Sequence, residues 1–264
     1  MRGFVAALSG AMSVAVVGSR RATIAGRLLA RALPADLGRA GVTVVSGLAV
    51  GIDGSAHRGA LDVKARTVAV MGGGHNRIYP TSHRGLAEEV ITGTGAIVAE
   101  YPPTAAPMRG NFPERNRIIS GLVAGVVVVE ATVRSGTLIT ARMALEQGRE
   151  VMAVPGPVME GRHGGCHRLI RQGAALVEDA ADVLEVFGLE PGEAHGFDVP
   201  KDAKLSQVLA SVPPVVTPIH DIVMSLAMPV DEVLGALVAL EIEGFVESHR
   251  GGYIRRPQAI RDTR

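Results

Sequence analysis

Basic and aromatic side chains concentrate between positions 109 and 117. Arg109, Phe112, Arg115 and Arg117 fall within nine residues, and Asn116 separates the last two arginines. Guanidinium groups bind phosphate oxygens through paired hydrogen bonds, and an exposed phenylalanine ring offers a face on which a base can stack. The segment therefore predicts a binding site for a nucleic acid whose bases are open, and single-stranded DNA is the ligand that we favour.

Structural roles are open alternatives for three of these side chains. Phe112 could be a core residue that packs its own loop. Arg115 or Arg117 could pair with a nearby acid, with Glu130 and Glu100 as the candidate partners.

Turns of glycine and small polar residues follow two of the apolar runs in the sequence. Backbone N–H groups at the start of a helix lack intrahelical partners and attract phosphates, so these turns are predicted to face the same ligand. The turns contain Gly18, Ser19 and Arg20, and Ser135, Gly136 and Thr137.

Apolar runs with the length of buried strands alternate with helical patterns over residues 1–188. Such alternation predicts an α/β fold with a doubly wound, mostly parallel sheet, in which ligands bind outside the carboxyl ends of the strands. The predicted strands are 13–17, 42–45, 67–71, 96–99, 126–130, 150–154 and 175–177.

Charge is distributed unevenly along the 264 residues, although the formal net charge is only +1. Residues 1–177 carry 20 Lys and Arg against 11 Asp and Glu, whereas residues 191–264 carry 7 against 10. A polyanion should therefore bind the first part of the chain. The apolar runs are too short to span a membrane, and a single cysteine, Cys166, fits a reducing cytoplasm.

Cofactor motifs are missing from the sequence. Neither a G-x-G-x-x-G fingerprint nor a Gly-Lys-Ser/Thr phosphate loop occurs, so we predict no nicotinamide or ATP cofactor. His163, Cys166 and His167 have a spacing that is too weak a signal to predict a metal site or a cysteine nucleophile.

Residues 189–203 are rich in Gly, Pro and charge and are predicted to be a linker. Residues 204–264 then show three helical patterns and two short strands, which predict a small winged-helix-like domain. Its third helix contains acids and no Lys or Arg, so we predict a protein-contact or regulatory role for this domain. As an alternative, the wing residues Arg250, Arg255 and Arg256 could still contact DNA.

Five segments resemble the DprA (Smf) family of DNA-processing proteins. They are VGSRRAT at 17–23, SGLAVGIDGSAHRGAL at 46–61, NFPERNRIISGL at 111–122, RSGTLITARMALE at 134–146 and GCHRLIRQGA at 165–174. The resemblance covers about residues 13–187, and the tail resembles the winged-helix domain of many members.

The resemblance implies an extended Rossmann fold, single-stranded DNA binding, homodimerisation, and loading of the RecA recombinase on incoming DNA in natural transformation. It places DNA contacts on the two turns and on the 109–117 segment. Relatives often have a basic residue at the position of Glu114. The chain is expected to start directly at the first Rossmann strand, without the small helical domain that precedes it in many members.

The alternative function is an enzyme, a nucleotide phosphoribohydrolase of the Lonely Guy type. Such proteins carry P-G-G-x-G-T-x-x-E, in which the glutamate acts on the ribose. The corresponding turn here begins at Arg134 and places Thr140 where the carboxylate should be. We therefore predict a protein without catalytic activity.

Overall fold

The computed structural model describes residues 1–4, 7, 12–189, 200, 202–213, 216–226 and 228–255. These residues form two compact units, an N-terminal α/β unit and a smaller C-terminal unit. Most of the predicted linker, 189–203, lies outside the described residues, as does Arg256.

The first unit is built on an eight-stranded sheet whose strand order is β1-β5-β4-β3-β2-β6-β7-β8. All pairings are parallel except that of β1 with β5. The strands are β1 (Arg2–Gly3), β2 (Ser13–Gly18), β3 (Thr43–Ser46), β4 (Thr67–Met71), β5 (Ala96–Ala99), β6 (Gly125–Glu130), β7 (Glu150–Ala153) and β8 (Ala175–Leu176).

In the described part of the first unit, six helices connect the parallel strands and a seventh follows β8, and a 3-10 turn at Thr81–His83 precedes the third helix. They are α1 (Ile24–Arg39), α2 (Ile52–Asp62), α3 (Arg84–Thr92), α4 (Asn111–Gly121), α5 (Thr137–Glu146), α6 (Gly164–Arg171) and α7 (Ala180–Val186). The predicted doubly wound α/β fold is confirmed. The prediction that the chain starts at the first parallel strand is wrong, because β1 adds an antiparallel edge strand before it.

The strand order reverses between β2 and β6, which pair in parallel at the centre of the sheet. The central strands are buried on both faces, and every residue of β6 is buried. Runs of small β-branched residues suit such strands because helices cover both sides of the sheet. The carboxyl ends of β2 and β6 thus form the switch point at which ligands bind in open α/β sheets.

The second unit contains α8 (Ala203–Ala210), α9 (Ile219–Met224) and α10 (Val230–Ile242), followed by the hairpin of β9 (Val246–His249) and β10 (Gly252–Arg255). Its core includes Leu209, Ile222, Leu237 and Leu240. Three helices and a two-stranded wing confirm the predicted winged-helix arrangement. No helix in the described part of the chain is long and apolar enough to cross a membrane.

Candidate nucleic-acid interface

A cleft of about 830 Å³ lies at the switch point of the first unit. The turn after β2, the turn after β6 and one face of α4 line it. Its polar and aromatic lining residues are Ser19, Arg20, Arg21, Asp53, Tyr79, Arg109, Phe112, Arg115, Asn116, Glu130, Thr132, Ser135, Thr137, Thr140 and Arg162.

The turn after β2 is fixed from two sides. The Ser19 amide donates to the Glu130 carbonyl at the end of β6 (2.8 Å), and the Ser19 carbonyl accepts from the Ile52 amide at the start of α2 (3.2 Å). A side chain at Gly18 would come within 2.6 Å of Ile52, so this close approach requires glycine. The fixed turn holds Arg20 at the mouth of the cleft.

Arg20 and two aromatic rings form a layer along the cleft. The guanidinium carbon of Arg20 lies 5.2 Å from the centre of the Phe112 ring, within the range of a cation–π contact. The Tyr79 ring lies 5.7 Å from Phe112 at an interplanar angle of 46°. Phe112 packs against Gly72 but is only partly buried, so it is not purely a core residue.

Helical periodicity decides which residues of the 109–117 segment reach the cleft. Phe112, Arg115, Asn116 and Ile119 line it, and they have the i, i+3, i+4 and i+7 spacing of one helix face. Arg117 lies outside the cleft and forms an exposed ion pair with Glu100. The pairing with Glu100 is the structural alternative that the sequence left open for Arg117, and its role as a DNA contact stays a prediction.

Arg115 lines the cleft but is buried, unlike Arg20 and Arg109. Its Nη1 donates to the Gly47 carbonyl at 2.9 Å and to the Val70 carbonyl, at the ends of β3 and β4. These two hydrogen bonds fix the guanidinium group of Arg115 to the strand ends. Arg115 therefore supports the floor of the cleft through these two carbonyls, and its role as a DNA contact stays a prediction.

Asp53 is the buried carboxylate beside Arg115. It accepts a hydrogen bond from the Gly47 amide at 3.1 Å. Burial raises the pKa of Asp53, and the positive charges of Arg115 and Arg20 partly oppose that rise. Burial likewise lowers the pKa of Arg115 to about 10, and the negative charge of Asp53 partly opposes that fall.

Glu114, the acid at a position that is often basic in relatives, lies on the outer side of α4. It accepts a hydrogen bond from the Tyr101 hydroxyl at 2.9 Å. Its partner is thus a tyrosine, and the residue does not line the cleft.

The turn after β6 satisfies several of its own donors. The Thr137 amide donates to Ser135 Oγ (3.2 Å), and the amides of Leu138 and Ile139 donate to the carbonyls of Ser135 and Gly136. The helix start therefore offers fewer open amides than the sequence predicted. Its polar atoms that face the cleft include the hydroxyl groups of Ser135 and Thr137, which lie 3.0 Å apart.

Exposed positive charge surrounds the cleft. Arg20, Arg21, Arg109 and Arg162 are exposed, and within the described part of the chain none of them forms an ion pair with a carboxylate. Arg162 also donates to the Arg21 carbonyl at 2.9 Å. Arg20 and Arg109 lie at one cleft, as their sequence context predicts, and the fold adds Arg21 and Arg162.

Three cleft residues were not among the residues predicted from the sequence. The only signal for Arg21 was its position directly after Arg20. Tyr79 follows the glycine triplet after β4, and Arg162 lies in the glycine-rich loop before α6, so only the fold brings them to the cleft.

Cys166 and His167, two of the three residues considered for metal or nucleophilic chemistry, are engaged in the fold. The Cys166 thiol is buried and points to the Val128 carbonyl at 3.6 Å, and burial raises its pKa to about 11. The reactive thiolate is therefore scarce at neutral pH. His167 Nε2 lies 3.0 Å from the Gly156 carbonyl. No cluster of three metal-ligating side chains occurs among the described residues.

The first unit, with its parallel sheet and arginine-lined switch point, is of Rossmann type. The second unit, with three helices and a wing, is of winged-helix type. Residues 1–188 match the family model of DNA recombination-mediator protein A, and residues 198–252 match the DprA winged helix domain. The chain belongs to the DNA recombination-mediator protein A (DprA) family, which confirms the resemblance drawn from the sequence.

Individual relatives agree with this assignment. The chain is 44% identical to protein Smf of Escherichia coli (strain K12), covering 93% of this chain and 68% of that protein. It is 42% identical to DNA processing protein DprA of Bacillus subtilis (strain 168), covering 70% of this chain and 62% of that protein. The chain thus spans about two thirds of the length of these curated relatives.

Two solved structures are also similar. The X-ray structure of DNA processing protein A from Streptococcus pneumoniae is 41% identical, with a TM-score of 0.65 over 70% of this chain and 64% of that one. DNA processing protein A from Helicobacter pylori is 26% identical, with a TM-score of 0.64 over 70% of this chain and 84% of that one. The study of the latter describes the single-stranded DNA binding mode of that protein.

Proposed function

We propose that this chain binds single-stranded DNA in the switch-point cleft. One observation carries the proposal: four exposed arginines and a partly exposed phenylalanine line the same cleft. Within the described part of the chain, none of these arginines has a carboxylate partner. Proteins that bind single strands without sequence preference combine a positively charged groove with aromatic rings on which bases stack.

In this proposal the arginines and hydroxyl groups bind phosphates, and Phe112 stacks on a base. Arg20 and Arg109 are the main phosphate contacts, and Arg21 and Arg162 extend the basic surface. Gly18, Ser19, Asn116 and the Ser135–Thr137 turn shape the cleft and supply polar contacts. A duplex would keep its bases paired and stacked away from Phe112, so a single strand fits better.

The relatives support the same ligand. The H. pylori protein is described by its binding of single-stranded DNA, and the B. subtilis and S. pneumoniae relatives are named for DNA processing. We propose that residues 1–188 form the DNA-binding domain, that 189–203 connect the domains, and that 204–264 form the winged-helix domain.

The proposed role is to protect incoming DNA and to load the RecA recombinase on it during natural transformation, in the cytoplasm. The family description as a recombination mediator supports this role. We also propose that the chain acts as a homodimer, since two clefts on one assembly would hold a longer stretch of strand than one cleft.

We propose that the protein does this without catalysis or a cofactor. Thr140, at the position of the glutamate in phosphoribohydrolases, is buried at the edge of the cleft. The two carboxylates that line the cleft, Asp53 and Glu130, are also buried. Release of free base from a nucleoside monophosphate by the purified chain would support the enzyme instead.

A mobility-shift comparison of a single-stranded oligonucleotide with its duplex tests the proposal. We expect the single strand to be bound more tightly, and we expect Arg20→Ala to weaken its binding. Equal or stronger binding of the duplex, with no effect of Arg20→Ala, would remove the cleft from DNA recognition.

A further inference from the structure

Helix α10 of the C-terminal unit is apolar on two faces. Its inner face packs Val233, Leu237 and Leu240 into the core of the unit. A helix with apolar residues all round is normally buried on all sides. In α10 only the inner face packs into the core of the unit, and the apolar outer face is exposed.

The outer face carries four large apolar side chains at every fourth position. Val230, Leu234, Val238 and Ile242 have exposed fractions of 54%, 37%, 49% and 82%. Neighbours at i and i+4 share one side of a helix, so these residues form a continuous stripe. Contiguous exposed apolar stripes of this kind mark sites where other proteins bind.

Gly235 lies beside the middle of the stripe and is exposed. A side chain built at this position would meet no atom within 4 Å. The surface is therefore open at its centre, and a partner backbone can approach α10 closely there.

The charge around the stripe is acidic. Helix α10 carries Asp231, Glu232 and Glu241 and no Lys or Arg, and Glu232 forms an ion pair with Lys204. The described residues of the unit from 202 onwards contain seven Asp and Glu against three Lys and Arg. An acidic surface repels the DNA backbone, so this helix is unsuited to the DNA-reading role that the third helix has in other winged-helix proteins.

We propose that the outer face of α10 is a docking surface for a protein partner that presents a basic amphipathic helix. The apolar stripe would take the apolar face of that helix, and Asp231 and Glu241 at its two ends would attract flanking lysines or arginines. A second copy of this chain fits less well, because two acidic faces would oppose each other. The proposal goes beyond single-strand binding and does not depend on it.

The length of the stripe sets the size of the partner element. Residues 230 to 242 span roughly 18 Å at 1.5 Å per residue, which corresponds to about three to four helical turns. A partner helix of that length can cover all four apolar side chains.

The test uses the full chain and a fluorescent peptide of about 15 residues, long enough to form a helix on binding. The peptide contains alanine, lysine and leucine, with leucine at every fourth position and lysines beside it. A second peptide has glutamate in place of lysine. We expect tighter binding of the lysine peptide, and a roughly tenfold loss for the Leu234→Ser, Val238→Ser double variant.

Met224→Ser is the matched control, since Met224 is an exposed apolar residue on α9 outside the stripe. It should bind like the wild type, and circular dichroism should show that both variants are folded. Equal binding by the double variant, no preference for the lysine peptide, or no binding of either peptide would overturn the proposal. The proposal would also be overturned if the wild type bound duplex DNA or self-associated and the double substitution abolished that interaction. The outer face of α10 would then bind DNA or a second copy of the chain.

Discussion

The switch-point cleft and the outer face of α10 lie where Rossmann-type and winged-helix folds commonly bind their ligands, but their chemistry is opposite. The cleft has four exposed arginines around a phenylalanine, whereas α10 has an apolar stripe flanked by acids. The fold thus fixes where a ligand surface lies, and the side chains decide what it binds. Here the first unit suits a nucleic acid and the second suits a protein.

The two surfaces also differ in what supports them. The cleft depends on a buried charged residue, Arg115, that joins two strand ends to α4. The α10 stripe rests on an ordinary apolar core. Substitutions should therefore separate the effects on stability, on DNA binding and on protein binding.

The largest effect should come from Arg115→Met. The variant removes the donor to the Gly47 and Val70 carbonyls and leaves Asp53 buried without its cation. Breaking a buried charge pair in this way costs about 3–5 kcal/mol. Denaturant unfolding measures the loss in free energy of unfolding. Arg117→Met is the matched control on the same helix, and it should cost about 1 kcal/mol or less because the Glu100 pair is exposed.

The cost of Arg115→Met should depend on pH. Asp53 already has a raised pKa in the folded protein, and Arg115 limits that rise. Without Arg115 the pKa of Asp53 in the folded state rises further above its ordinary value of 3.8. The variant therefore loses stability as the pH increases from 3.8 through the raised pKa of Asp53 in the folded state. The difference in unfolding free energy between wild type and variant should therefore be larger at neutral pH than at acidic pH. A difference that is independent of pH would contradict the coupling of the two residues.

The next effect is on DNA affinity and concerns Arg20 and Arg109. The double variant Arg20→Ala, Arg109→Ala should bind single-stranded DNA about 100-fold more weakly, as two charge-assisted contacts of about 1.4 kcal/mol each are lost. Fluorescence anisotropy with a labelled oligonucleotide measures this. Arg58→Ala removes an arginine that pairs with Glu89 outside the cleft, and it should leave affinity unchanged. Equal losses in both variants would point to general charge rather than a site.

Phe112→Ala should have a smaller effect, a loss of about tenfold in affinity, because stacking on one base is worth about 1–3 kcal/mol. Phe112→Leu serves as the control for packing, since leucine fills space near Gly72 but lacks an aromatic face. Both variants should bind weakly in the same titration. Full recovery by leucine would show that Phe112 shapes the cleft and does not stack on a base.

The smallest effect should come from the second unit. Deletion of residues 204–264, or the Leu234→Ser, Val238→Ser double substitution, should change single-strand affinity less than about threefold, which is below 1 kcal/mol. Near-total loss of binding would show that the acidic unit takes part in DNA recognition, and the contrast between the two surfaces would fail.

The sequence predicted much of this arrangement because glycine turns directly follow the apolar runs. The parallel α/β pattern then implied that the turns after β2 and β6 share one edge of the sheet. Helical spacing also predicts that Arg115 and Arg117 cannot both face the cleft, because residues two positions apart lie on nearly opposite faces of a helix.

Other features could not be obtained from the sequence. The strand order that makes β2 and β6 neighbours depends on the packing of the whole sheet. Arg162 reaches the cleft from a loop that is 141 residues away from its hydrogen-bond partner Arg21. The burial of Arg115 likewise depends on strand ends that belong to β3 and β4.

The salt dependence of single-strand binding tests the central claim most directly. The logarithm of affinity should fall with the logarithm of salt concentration by about 0.7 for each phosphate that is neutralised. The Arg20→Ala, Arg109→Ala variant should therefore lose about 1.4 from the wild-type slope, whereas Phe112→Ala should keep that slope. Identical slopes for the wild type and the double-arginine variant would show that these arginines do not bind the DNA backbone.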